Sequence, residues 1–438
     1  MALLRTSTIA LSGRMLQLSL GTAIALLLPL LISPAELGTY FLSQVAIAAG
    51  AVLAQSGLTL ALPALIGEAI ARNDSGKARS LCRTAMLQCL LASAAVCLIG
   101  LLLVRTWPAG ALASLGIDGL VPVAILAIIP FAALCAVLTE MHRAYRDITL
   151  ASLLPNAQSG GVAAITLLAF LLALRPSVTQ LLFAGLAGLV VAVMIGVGAL
   201  LRRAELRTPV SRHPVGIAHL ALSTWPAFVT SVGGLVISLA DQTIAGIIGG
   251  AVDAGHYGLG LRLSALLTLP LAIVNAAIMP QIVSLWAKGR RRRLQWLLVS
   301  SATTASLCAV LGFGGLAIFA VIGPQPVWDA SYEPALLVGV ILGFGQLVHT
   351  LGGSSGYLLL LLGHQKTFMC LSLTIGGLAI VLASMAMAEW GIVGLAAVMA
   401  GANIIQTLAC CVMANRLLGL KSHASPISPL RVFRQAAE

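Results

Sequence analysis

Two ionisable groups stand inside long apolar runs of this 438-residue chain, Asp241 and Arg262. Charge within such runs is costly, so it marks a bundle interior, a partner or an aqueous cavity. The two flank a candidate turn centred near residue 251.5, and on antiparallel neighbours each lies roughly 16 Å from it. They can pair. One reading is a neutralising salt bridge that fixes the hairpin. The other is a pair lining a central cavity, where a guanidinium offers paired, permanently charged hydrogen bonds and a carboxylate restrains it or senses protons. Arg14, one turn into the first apolar run, either snorkels to the surface or meets the same cavity. His349 lies near the middle of another run, as a neutral core histidine or a titrating group. Asn275 and Gln346, with Gln17, Gln44, Gln55, Asn156, Gln158 and Asn403, can hydrogen-bond hydroxyls or join helices together. Glu68 and Glu140, near the ends of their runs, are solvated at the interface or form gate salt bridges with Arg83 or Arg143.

No catalytic constellation accompanies these groups. The chain has no Walker loop, no HExxH and no Gly-x-Ser-x-Gly, so it is read as not an enzyme, without cofactor or metal, and ATP hydrolysis is not expected. The eight cysteines lack metal-ligand spacing and read as small buried hydrophobes.

The elements that position these residues follow from composition. Hydrophobic residues make up 59% of the chain, charged ones 9%, and the mean hydropathy is +1.04. No aqueous globule keeps so little charge. Runs of about 20 apolar residues, the length of a hydrocarbon crossing, recur throughout. About twelve spans are expected: 12–33, 38–67, 82–104, 119–140, 150–173, 180–201, 216–249, 254–284, 297–323, 334–362, 367–388 and 392–415. The first is read as a retained span and not a signal peptide. The net charge of +12 does not point to nucleic acid, because Lys and Arg alternate by loop, leaving Arg105 and Arg175 nearly alone on one side. That asymmetry predicts both termini in the cytoplasm, and "KGRRRR" at 288–293 is read as a topology signal facing anionic lipid heads.

The chain also repeats. "ELGTY" at 36–40 and "DAGHY" at 253–257 lie 217 residues apart (253 − 36), and at that offset Gly38 matches Gly255, Tyr40 matches Tyr257 and Pro63 matches Pro280. "GGVA" at 160–163 recurs as "GGLA" at 376–379. The expected fold is an all-α polytopic membrane protein, two six-helix bundles related by a parallel internal repeat: 1–203 and 216–416, with a linker at 204–215 and a tail at 417–438. Gly38 and Gly255 are expected to make the tight external turn, with each Tyr starting the next helix at the interface. Pro63 and Pro280 are expected to kink that helix, as plain turn and kink residues or as hinges.

The stretch 239–286, with its Asp, apolar run, G-x-Y turn and late Pro, resembles the seventh and eighth helices of bacterial O-antigen and exopolysaccharide flippases. "FGQLVHTLGGSSGYLLLLLGHQKT" at 344–367 resembles their tenth helix, and "ELGTYFLSQ" with "GLTLALPALIGEAIAR" their second. These flippases belong to the multidrug/oligosaccharidyl-lipid/polysaccharide exporter superfamily. The resemblance implies a two-lobe, twelve-helix transporter in the bacterial inner membrane. Its cargo would be a polyprenyl-pyrophosphate-linked oligosaccharide, moved to the outer leaflet by alternating access and driven by a proton or sodium gradient or by downstream consumption of the sugar. Arg262 would then contact substrate phosphate or an acidic sugar, and membrane lipids and a polysaccharide polymerase would be partners. Competing readings are a drug or organic-cation antiporter of the same superfamily, which requires an acidic cavity; a glycosyltransferase or polymerase, which requires a sizeable loop; and a non-transporting scaffold.

Overall fold

In a computed structural model the chain is described at residues 13, 20, 21, 23, 24, 26–106, 113–203, 215–325 and 327–424. Arg14, Gln17 and the centre of the 204–215 linker lie outside the described residues. Among those described, the regular structure is helical throughout, with no strand. The helices are α1 (Pro34–Gln55), α2 (Leu58–Ala71), α3 (Ser75–Thr106), α4 (Val121–Ala144), α5 (Ile148–Leu153), α6 (Ala157–Leu171) and α7 (Val178–Arg202), then α8 (Ile217–Ala265), α9 (Leu269–Ala287), α10 (Arg291–Ile322), α11 (Glu333–Gly352), α12 (Ser355–Leu361) and α13 (Gln365–Leu418).

Leu91, Leu98, Ile99 and Leu102 on α3, and Leu307, Leu311 and Ile318 on α10, are between 54% and 69% exposed. Leucines displayed along whole helices meet hydrocarbon, not water, so this is a multi-pass membrane protein. Cys308 and Cys370 are exposed on such faces, unlike the buried role expected of all eight cysteines.

Two helices are too long to be single spans. A 16-residue separation on a straight helix is about 24 Å, yet the Tyr257 hydroxyl reaches the Asp241 carboxylate at 3.1 Å. The chain therefore doubles back within α8, at Gly250 (φ 79°, ψ −171°). Gly391 (φ 61°, ψ −154°) reverses α13 in the same way, bringing Gln406 to Ser372 at 3.0 Å. Only glycine occupies that backbone region without strain. With α8 and α13 each divided into two arms, the helices follow the expected order of spans.

The reversals correct the reading of the repeated motif. Gly38 sits inside α1 and Gly255 inside α8, both buried, and neither has positive φ. The turn is made three residues before each acid. Ser33 caps α1 through a capping box with Glu36, whose carboxylate accepts from Ser33 N at 2.8 Å. Gly250 holds the matching position, 217 residues on (250 − 33), ahead of Asp253. Tyr40 and Tyr257 are likewise not interfacial, being 5% and 0% exposed. Pro63 does fall within a helix, α2, but the break precedes it at Ser56 and Gly57, both with positive φ. Pro280 lies within α9, and the break in that span is the 3-10 turn Leu266–Thr268.

The chain forms two compact units, Met1–Leu239 with Gly250–Val252, and Ala240–Gly249 with Asp253–Glu438. In the second, both arms of α8 pack with α11 and α13 around Ile244, Tyr257, Val338, Leu342, Met387 and Leu395. At one end of that unit α9, α10, α12 and the segment after α13 share Leu285, Leu294, Leu358, Leu418 and Leu420.

Replacing Gly250 or Gly391 by Ala forces a side chain into the glycine-only region and is expected to cost on the order of 1–3 kcal/mol. The thermal unfolding midpoint in detergent, followed by tryptophan fluorescence, should drop for both variants and stay unchanged for Ser33→Asp, which preserves a capping oxygen.

Candidate functional site

The second unit holds two polar constellations between apolar helices. In the first, Asp241 on the leading arm of α8 is 8% exposed. One carboxylate oxygen accepts from the backbone N–H of Gln242 at 2.7 Å, the other from the Tyr257 hydroxyl at 3.1 Å. The Gln242 amide donates to Ala254 O at 2.8 Å, a second tie between the arms. The Arg262 guanidinium donates to Gly258 O on its own helix at 2.9 Å. The hairpin is thus fastened through Tyr257, which sequence reasoning placed at the membrane surface. Counting outward from the turn could have found it. The midpoint of 241 and 257 is 249, one residue before the observed reversal, whereas that of 241 and 262 falls one and a half residues after it.

The second constellation joins α11 to the trailing arm of α13. Gln346 and His349, three apart, face Asn403 and Thr407, four apart, on neighbouring helix faces. The Asn403 amide donates to Gln346 Oε1 at 3.2 Å, and His349 Nδ1 lies 3.1 Å from Thr407 Oγ1. The Thr407 hydroxyl hydrogen is directed to Asn403 O at 2.8 Å. With that hydrogen committed, the histidine nitrogen is the donor, which assigns the neutral ring its Nδ1–H tautomer. Asn275, on α9, accepts a hydrogen bond from Ser354 in the break between α11 and α12. Expected site residues therefore fall into separate groups: Asp241 with Tyr257, Gln346 and His349 with Asn403 and Thr407, and Asn275 with Ser354, while Arg262 bonds the backbone of its own helix.

In the first unit the proposed gate pairs are local. Glu68 binds Arg72 at 2.7 Å, one turn along an exposed helix surface, and Glu140 binds Arg143 at 2.7 and 3.0 Å. Arg83 is exposed and joins neither, the two carboxylates being bound to Arg72 and Arg143. An exposed i,i+4 pair contributes only about 0.3–0.5 kcal/mol, too little to hold a gate. Glu140 and Arg143 do line a cavity of about 290 Å³ with Thr59, Thr139 and Gln158, and the Gln158 amide donates to Gln44 at 3.0 Å. A larger apolar groove beside α6 and α7, of about 670 Å³, offers no polar side chain for chemistry.

Sequence reasoning missed a network at the turn between α4 and α5. His142 is fully buried, with Nε2 3.0 Å from Gly196 O and Nδ1 3.6 Å from Asp147 Oδ2. Arg203 binds the same carboxylate oxygen at 2.7 Å and stands 5.2 Å over the Tyr145 ring. The only sequence signal was Asp147 directly after the basic end of a span, where it caps α5.

Tyr257→Phe strips the buried Asp241 oxygen of its donor and is expected to destabilise by about 1–3 kcal/mol. A double-mutant cycle with Asp241→Asn, read as unfolding midpoints in detergent, should give a coupling of about 1 kcal/mol or more. Additive losses would show that the bond does not hold the hairpin.

No family model matches the chain, and no curated protein matches it in sequence. Solved structures do. An inward-facing multidrug resistance MATE family transporter of the MOP superfamily matches with a TM-score of 0.69 at 13% identity, over 94% of this chain and 98% of the other. The lipid II flippase MurJ, in an inward closed conformation, matches with a TM-score of 0.69 at 14% identity, over 99% and 89%. A MOP superfamily transporter from Pyrococcus furiosus, whose reversed pocket polarity suggests a different function, matches with a TM-score of 0.55 at 14% identity over 95% of each chain. Cargo does not follow from likeness at this identity. The chain has the two-bundle helical fold of MOP superfamily transporters.

Proposed function

We propose that the protein is a flippase that carries a polyprenyl-pyrophosphate-linked oligosaccharide, an O-antigen or exopolysaccharide repeat unit, from the inner to the outer leaflet of the bacterial inner membrane. It works by alternating access and draws on an ion gradient. One observation carries the choice among cargoes: both oxygens of the deeply buried Asp241 carboxylate are taken up by donors of the protein itself. An organic cation needs an acid free to receive it. A neutral or anionic sugar-phosphate does not. Arg262, on the arm that carries Tyr257, suits pyrophosphate, and the amide and hydroxyl groups of Gln346, Asn403 and Thr407 suit sugar hydroxyls. A lipid II flippase among the solved structures of this fold is consistent with a lipid-linked cargo. In this reading Arg14 adds a second cation, His349 or Asp241 carries a coupling proton, and Glu140 with Arg143 borders the path in the first unit.

The test is surface polysaccharide in cells whose own flippase is deleted and replaced by this chain. Arg262→Ala and Asp241→Asn are each expected to lower export at least ~10-fold at unchanged protein level, the loss of about one charged contact. Full export by both variants sinks the role given to the pair. Uptake of ethidium by proteoliposomes of the wild-type protein, driven by a proton gradient, would favour the organic-cation antiporter instead.

A further inference from the structure

Three arginines of the first unit pair with its own carboxylates, Arg72 with Glu68, Arg143 with Glu140 and Arg203 with Asp147. The second unit does the opposite at the end where α9 meets α10. The turn at Lys288 to Arg290 runs into α10, so that Lys288, Arg290, Arg291, Arg292 and Arg293 occupy six consecutive positions with Gly289, all exposed. Lys421 and Arg416, exposed as well, belong to the same end, because Gln295 holds Lys421 through both backbone groups and Leu418 packs beside Leu294. Lys366 follows the turn whose Leu362 packs there. No carboxylate answers them among the described residues. The side chains of Lys288, Arg290, Arg292, Arg293, Lys366, Arg416 and Lys421 make no hydrogen bond or ion pair with any described residue.

One member is built in. The Arg291 guanidinium lies 3.7 Å over the Trp286 ring and donates to Leu418 O at 3.0 Å, which pins the turn to the end of α13. Three arginines in the first turn of a helix also oppose its dipole, and α10 has no acid in its first turn. So much unanswered positive charge on a held turn is costly unless an external anion sits on it.

We infer that this end of the second unit is a binding site for the phosphate-bearing headgroup of an anionic phospholipid, with Arg290, Arg292 and Arg293 as its ligands and Arg291 with Trp286 as its anchor. The site is independent of the cargo. Tryptophan at the headgroup level and arginines with paired N–H groups fit a phosphodiester whose acyl chains run along the exposed leucines of α10. A topology signal alone needs only charge, whereas a headgroup site also needs guanidinium geometry.

The experiment uses the full chain, purified in detergent and titrated with cardiolipin, phosphatidylglycerol or phosphatidylcholine, bound lipid being counted by native mass spectrometry. The wild-type protein is expected to retain one cardiolipin or phosphatidylglycerol per chain and to lose phosphatidylcholine. The R290Q/R292Q/R293Q variant should bind ~100-fold more weakly, on the order of fivefold per charge removed near a surface. The R290K/R292K/R293K variant keeps the charge that directs insertion and should still bind ~10-fold more weakly, because lysine cannot grip a phosphate bidentately. Inorganic pyrophosphate at millimolar concentration should not displace the lipid. Displacement would reassign the site to free phosphates. Equal retention by the wild-type and glutamine variants, or of phosphatidylcholine and cardiolipin, would overturn the inference.

Discussion

Hydrocarbon supplies no hydrogen bonds, so a chain that crosses it must satisfy every backbone N–H and C=O from within. That constraint governs this structure more than any single contact. It makes the regular structure of the described residues helical throughout and turns each interruption into a place that needs its own solution. At Ser33 and Ser177 the solution is a capping box, with Glu36 and Gln180 answering. At Gly250 and Gly391 it is a glycine reversal. At 154–156 and 266–268 it is a 3-10 turn that passes the bonding ladder on without exposing it. One of the polar groups proposed as working parts sits at such an interruption, Asn275 with Ser354 at the end of α11, while Asp241 and Tyr257 join the two arms that the Gly250 reversal brings together.

Helix placement was legible in the sequence because it depends on hydropathy summed over about 20 residues, a signal that survives many local exceptions. The start of α11, the end of α12 and both ends of the trailing arm of α13 fall within a few residues of the spans expected at 334–362 and 392–415, though the first of these spans is broken after Gly352. The internal repeat was legible as an offset, though not as a mechanism. Glycine in D-x-G-x-Y looks like a turn former, but a helix capped three residues earlier absorbs it, and cap geometry leaves a weaker mark on composition than glycine does. The site was legible only in part. Asp241, His349, Gln346 and Asn403 stood out as polar groups in apolar runs, but the partners that Asp241 and His349 take, Tyr257 and Thr407, did not. Tyr257 did not stand out, because tyrosine is equally at home at a membrane interface and in a core where its hydroxyl finds an acceptor. Only the register of the hairpin distinguishes these.

The two units differ in how they manage charge. The first encloses its carboxylates beside arginines and a histidine, as in the network of His142, Asp147 and Arg203 around Tyr145. The second keeps one deeply buried carboxylate, Asp241, and leaves its arginine turn to the surroundings.

The caps at Ser33 and Gly250 occupy matching places in the repeat and do the same job by different means. Serine there is one of several interchangeable choices, since threonine, aspartate and asparagine also present a capping oxygen. Glycine at φ 79° and ψ −171° has no substitute among the other residues. The first cap can therefore vary among several residue types without leaving the folded ensemble, while the second is confined to glycine. Over long divergence the two copies of a single ancestral turn would come to look unrelated, one variable and one invariant, and a search that trusted variability alone would miss that they are the same element.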